Sequence, residues 1–169
     1  MRRHVVLIGL PGAGKSTVGA AVAARLGARF MDGDVIVESR VGKPVTRIFA
    51  EDGEAVFRGH ERRAVADALA GTPAVIAPGG GWAAQPGNLD AARNALTIHL
   101  EVTTGEAVRR TAGATRPLFA GDPAGTLERL ATERLPLYRQ ATVTVQTDHR
   151  SVAEVTDLVV QLARSEGGW

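Results

Sequence analysis

Short apolar runs alternate along this chain with longer stretches in which apolar residues return every three or four positions. The runs are HVVLI at 4–8, ARFMD at 28–32, AVIA at 74–77, LTIHL at 96–100 and TVTVQ at 142–146. Short apolar runs separated by helical periodicity predict βα units and a parallel sheet, the α/β class. Between the first two runs, Val18, Val22 and Leu26 recur at i+4. They predict a helix that starts inside a glycine-rich loop and stops at Gly27. Thr103 with Glu106, and Ser151 with Glu154, have the spacing of a capping box and open two further helices. The last of these offers Val152, Val155, Val159 and Leu162 as its apolar face. No internal repeat is visible.

One segment breaks the periodicity. AGATRPLFAGDPAG (112–125) holds three glycines and two prolines, with Arg116 near its centre. It reads either as a solvated surface loop or as a lid over a site, since loops of this length in compact domains often serve as lids.

Composition narrows the possibilities. At 169 residues the chain is expected to form one domain, residues 1–169. No apolar run reaches the length of a membrane span, and MRRH before VVLIGL lacks a cleavage pattern, so the expectation is a cytoplasmic protein with no membrane partner. With no cysteine there is neither a disulfide nor a thiolate metal site. A net charge of +2 and few aromatics argue against a nucleic-acid partner. The basic residues are almost all arginine, with lysine only at 15 and 43.

Lys15 stands in GLPGAGKSTVGA, where Gly9, Gly14, Lys15 and Ser16 fit the phosphate-binding pattern G-x-x-x-x-G-K-[ST] between a strand and a helix. In such a loop the N–H groups of Gly12, Ala13, Gly14, Lys15, Ser16 and Thr17 are expected to point at a β-phosphate, reinforced by the positive end of the helix. Lys15 would bridge the β- and γ-phosphates, and the Ser16 hydroxyl would be a Mg²⁺ ligand. These residues predict a site for a magnesium–nucleotide complex.

What receives the phosphate must be read further along. Asp32 and Asp34 in MDGD close the second predicted strand; i, i+2 spacing on an extended segment puts both on one side. One carboxylate can orient the hydration shell of Mg²⁺ and the other can take a proton from an attacking hydroxyl, although acidic residues after a strand also serve plain turn chemistry. Arg58 and Glu61 in FRGHE are i, i+3 on a helix, either a surface ion pair or an arginine held to grip an anion. Gly79, Gly80 and Gly81 follow a strand, where a ligand could lie on bare backbone, and Arg134 stands in ERLPLYRQA.

Taken in order, GLPGAGKSTVG, DGD, IFAEDGEAVFRGHE, GGG, RPL and RLPLYRQA resemble the shikimate kinases over about residues 4–150. The resemblance implies a three-layer α/β/α P-loop kinase with a five-stranded parallel sheet and a mobile lid at about 112–125, similar to nucleoside monophosphate kinases. It implies ATP-dependent phosphorylation of the 3-hydroxyl of shikimate, with Mg²⁺; a monomer is expected, although the sequence does not fix the oligomeric state. It implies that Asp34 binds the shikimate hydroxyls and acts as base, that Arg58 and Arg134 grip the carboxylate, and that Gly79 to Gly81 line the floor. By the same resemblance Asp32 supports Mg²⁺ through water, Arg116 reaches the phosphates while Pro117 and Leu118 close over the substrate, and Arg110 and Arg150 flank the adenine.

Three positions depart from that pattern. Gly33 stands where the family usually has a hydroxyl residue, and DGD is typical of gluconate kinases. Trp82 and Ala83 follow the glycine triplet where a small and an aliphatic residue are common, so the indole either narrows the pocket or packs away from it. Val152 stands near a position where relatives place proline against the adenine. The alternatives are thus a kinase for another acidic polyol such as gluconate, and a nucleotide-binding regulatory module without turnover.

Overall fold

The computed structural model describes residues 1–113, Phe119 and residues 121–169. Five strands, β1 (Val5–Ile8), β2 (Phe30–Asp32), β3 (Val75–Ala77), β4 (Leu96–Glu101) and β5 (Val143–Gln146), form one parallel sheet in the order β2-β3-β1-β4-β5. All four residues of the central β1 are buried, as are the first five of β4, because central strands of a parallel sheet are covered on both faces. The edge strand β5 is only intermittently buried and β2 is half-buried throughout. From β1 the chain runs out to β2 and β3 on one side and then crosses to β4 on the other. The crevice at the carboxyl end of β1 is therefore a topological switch point, where doubly wound sheets bind ligands.

The helices are α1 (Lys15–Leu26), α2 (Gly33–Val41), α3 (Val45–Glu51), α4 (Glu54–Leu69), α5 (Asn88–Ala91), α6 (Thr104–Thr111), α7 (Pro123–Tyr138) and α8 (Val152–Ser165), with a 3₁₀ turn at Trp82–Ala84. In α1, Val18 and Val22 are buried and Leu26 half-buried, and Gly27 ends the helix in a left-handed turn at φ 61°. The main core gathers β1, β3, β4, α1 and α8. A smaller cluster of Val37, Ile48, Phe57 and Ala64 holds α2, α3 and α4 together beside the sheet. Among the described residues no helix is long and apolar enough to cross a membrane.

Several expectations need correction. Val152 is 48% exposed and Leu162 is only partly buried; the inner face of α8 is instead Val155, Val159, Val160 and Ala163. The Thr103–Glu106 box is half formed. The Thr103 hydroxyl accepts from the Glu106 N–H, but the Glu106 carboxylate turns to Arg109 and Arg110. In 112–125, Phe119 is buried in the main core, and Pro123 to Gly125 already belong to α7, capped by Asp122. Arg116 and the Pro117–Leu118 closure lie outside the described residues.

At α8 the box is complete: the Ser151 N–H donates to Glu154 Oε2 at 2.7 Å and the Glu154 N–H to Ser151 Oγ at 3.2 Å. Ser151→Ala is expected to cost about 1 kcal/mol, a fall of roughly 2–4 °C in Tm by calorimetry.

Candidate active site

The chain leaves β1 at Ile8 and turns through the glycine loop into α1. Gly14 takes φ 90° as the residue before the helix, a left-handed conformation that glycine adopts without a Cβ clash. The N–H groups at the start of α1 have no helical partner of their own. Ala13 departs from the expected pattern, because its N–H donates to Leu10 O at 3.1 Å within the loop. The Lys15 ammonium lies at the loop's root, donating to Gly9 O at 2.9 Å and Leu10 O at 3.0 Å.

Asp32 joins two elements. Its Oδ1 accepts from the N–H groups of Asp34 (3.0 Å) and Val35 (3.3 Å), capping α2, while the Ser16 hydroxyl donates to its Oδ2 at 2.5 Å. Asp34 is accordingly not on an extended segment beside Asp32. It sits in the first turn of α2, yet both side chains line the same cleft.

That cleft, about 890 Å³, runs from Gly12 to Val18 past Asp32, Asp34 and Ala77 to Gly80, and on to Arg110, Thr147, His149, Arg150 and Val152. Arg110 is held rigidly. It donates through Nε to Glu106 (2.7 Å), through Nη1 to Thr147 Oγ1 (3.0 Å) and the Gly12 carbonyl (3.4 Å), and through Nη2 to the Thr147 carbonyl (3.0 Å). Hydrogen bonds from Arg109 and then Arg110 pull the Glu106 carboxyl down to about 2. Arg150 is exposed and donates to Gln146 O at 2.5 Å.

Behind the glycine triplet lies a second group of charges, off the cleft wall itself. Arg58 donates through Nη1 to Glu61 Oε2 at 2.8 Å and through Nη2 to Glu54 at 3.2 Å. The Arg58 and Glu61 side chains are only 10% and 1% exposed, so this is no surface ion pair. Burial pushes the Glu61 carboxyl up and the Arg58 charge only partly opposes it, with Asp34 adding to the upward push. For Arg58, burial acts downward but Glu61 and Glu54 outweigh it, and the guanidinium is held still more firmly charged. The glycines lie close against this pair. A Cβ on Gly79 would stand 2.3 Å from Glu61 Oε1, and one on Gly81 2.4 Å from Arg58 Nη2. Gly80 lies between, with Arg134 Nη1 3.4 Å from where its Cβ would be. Among the described residues, Arg58 Nε and Arg134 Nη1 are buried polar atoms with no hydrogen-bond partner, an arrangement that proteins avoid unless something else supplies the partner.

The unusual residues resolve by packing. A Cβ on Gly33 would approach Pro78 Cα to 3.2 Å, so the chain's own Pro78 crowds that position. Trp82 is 2% exposed within the main core and does not line the cleft, so the indole packs away from the site. Val152 does line the cleft and is exposed there.

The comparisons with known proteins agree with this geometry. A family profile described as "Shikimate kinase" matches residues 11–164. The chain is 44% identical to the shikimate kinase of Mycobacterium avium over 163 residues, covering 95% of this chain and 93% of that one. It is 46% identical to the Salinispora tropica shikimate kinase over 162 residues, 95% and 97% of the two chains. Among solved structures, the shikimate kinase of Acinetobacter baumannii in complex with shikimate superposes with a TM-score of 0.93 at 30% identity, covering 98% of this chain and 94% of that one. The chain belongs to the shikimate kinase family.

Within this family member, sequence reasoning missed four residues that shape the site. Thr147 and Glu106 anchor Arg110; the Glu106 contact is an i, i+4 pair on α6 that spacing could have shown, while Thr147 lies 37 residues away and leaves no local signal. Tyr138, one helical turn after Arg134, donates its hydroxyl to Gly80 O at 2.6 Å; the i+4 spacing in RLPLY was the available clue. His99 on β4 is 2% exposed, with its ring 5.0 Å from that of Tyr138.

Burial, then the nearby charges of Lys15 and Arg139, push the His99 imidazole from 6.5 down to about 4. Between those values the unfolded chain binds a proton that the folded chain refuses, so stability falls as pH drops through that window. From pH 7 to 5 this group is expected to remove about 1–2 kcal/mol. In His99→Phe, which has no such proton to take up, the fall in Tm between pH 7 and 5 should be smaller by roughly 2–6 °C.

Proposed function

We propose that the chain transfers the γ-phosphate of ATP to the 3-hydroxyl of shikimate, giving shikimate 3-phosphate and ADP. The observation that carries this reading is the pair of buried arginines, Arg58 and Arg134, which each leave a guanidinium nitrogen without a partner among the described residues, behind a bare glycine floor. That floor shares a cleft with the phosphate loop. A small ring bearing a carboxylate at one end and hydroxyls at the other fits such an arrangement. The arginines take the carboxylate bidentately, Gly79 to Gly81 let the ring lie against backbone, and Asp34 takes the hydroxyl end. Gly33 packs against Pro78, where a Cβ would lie 3.2 Å from Pro78 Cα.

In the reaction, backbone N–H groups at the start of α1 hold the β-phosphate and Lys15 leaves the loop carbonyls for the phosphate oxygens, where it offsets charge in transfer. Asp34 accepts the proton of the attacking hydroxyl. Arg110 and Arg150 flank the nucleotide base, and Arg116 reaches the phosphates. Ser16 and Asp32 present adjacent oxygens to the cleft, a hard donor pair of the kind Mg²⁺ uses when phosphates and water complete its shell. Bound there, Mg²⁺ would neutralise the phosphates and orient them.

A coupled ADP-release assay with shikimate and gluconate in parallel tests the reading. Turnover is expected with shikimate, and kcat/KM for gluconate at least about a hundredfold lower; equal rates, or none with shikimate, would overturn it. Arg58→Lys keeps the charge but loses the planar fork, so calorimetry should show shikimate binding weakened about tenfold or more and ATP binding nearly unchanged.

Arg116→Ala gives a separate check on the nucleotide side. The expected result is a loss of about a hundredfold or more in kcat, with shikimate binding in the absence of nucleotide unaltered.

A further inference from the structure

Tyr138 is fully buried, and the site chemistry proposed above leaves it unused. Its hydroxyl donates to the Gly80 carbonyl at 2.6 Å, while its ring lies 5.0 Å from that of His99. The two ends of this contact belong to different halves of the site. Gly80 is the middle of the acceptor floor. A Cβ there would meet Pro11 Cδ at 3.1 Å and Gly9 O at 3.3 Å, so the floor already rests on the phosphate loop. His99 is paired with Ile8, the last residue of β1 before that loop, and Lys15 hydrogen-bonds the next carbonyl, Gly9 O. One turn earlier on α7, Arg134 holds Nη1 close to Gly80.

From this placement we propose that Tyr138 is a positioning residue. It fixes the spacing between the acceptor floor and the phosphate loop by tying the Gly80 carbonyl to the root of the loop through His99. The proposal rests on shikimate phosphorylation and extends it. The triplet has no side chain to lock it, and glycine backbone is the most mobile there is. Without the hydroxyl, Gly80 O would have to find another donor or move. The floor would then drift against Pro11 and Gly9, and the acceptor hydroxyl would lose its alignment with the phosphate. Misplacement of reacting groups by a fraction of an ångström to an ångström costs rate even where binding survives.

Tyr138→Phe removes only the hydroxyl and keeps the ring on His99. Loss of one buried hydrogen bond to a carbonyl corresponds to about a tenfold effect. The expected results are kcat for shikimate down about tenfold, shikimate KM up several-fold, and ADP affinity by calorimetry within about twofold of wild type. Amide hydrogen exchange at 79–81 should quicken at least about tenfold, a readout that does not depend on the acceptor's identity. Wild-type kinetics and exchange with only a lower Tm would show a packing role and overturn the proposal, as would equal weakening of ADP and shikimate. Failure of the wild-type enzyme to use shikimate would instead remove the acceptor assignment, and the exchange result would still decide the role of Tyr138 at the floor.

Discussion

Taking a carboxylate out of water costs several kcal/mol unless cations and donors close around it, and Glu61 is fully buried in the middle of α4. The acceptor side of the cleft follows from that constraint. Arg58, a turn earlier, reaches onto Glu61, which fixes its guanidinium and leaves Nε without a partner among the described residues. Gly79 and Gly81 leave room for this pair, because the space that a Cβ would occupy is filled by the ends of the Glu61 and Arg58 side chains. Removing one partner from such a pair typically costs roughly 3–5 kcal/mol, so the arrangement is held as a unit. The bare floor and the oriented arginine are thus two consequences of one buried charge.

The nucleotide side is organised around Asp32 in a comparable way. One oxygen of its carboxylate caps α2 and so places Asp34 in the first helical turn, while the other meets the Ser16 hydroxyl at the start of α1. The end of one strand therefore ties the phosphate loop to the residue proposed to handle the acceptor hydroxyl. Arg110 does similar work further along, linking Glu106, Thr147 and the Gly12 carbonyl across three segments. Phosphoryl transfer asks a protein mainly for position and electrostatics, and these cross-links supply position.

Much of the architecture was legible before any coordinates. The five apolar runs are the five strands to within two residues at each end, and the glycine loop stands between strand and helix as its spacing requires. The Ser151 box formed because both of its hydrogen bonds lie within four residues of each other. The Thr103 box did not close, since Glu106 found two arginines on its own helix. The apolar face of α8 was misread at both ends, where Val152 faces the cleft and Leu162 lies at the margin of the core.

Strands, the loop-to-helix turn and the starts of α6 and α8 were determined by the sequence itself, because their causes act over a few residues: periodicity, capping distance, the conformations open to glycine. The composition alone also set aside disulfide and thiolate chemistry. Only the tertiary structure decided that Arg58 and Glu61 form a buried pair, that Asp34 opens a helix, that Gly33 packs against Pro78 and that Tyr138 donates to Gly80. Each of these depends on desolvation or close contact between segments far apart in the chain, and a pattern of neighbouring residues carries no measure of what lies across the fold.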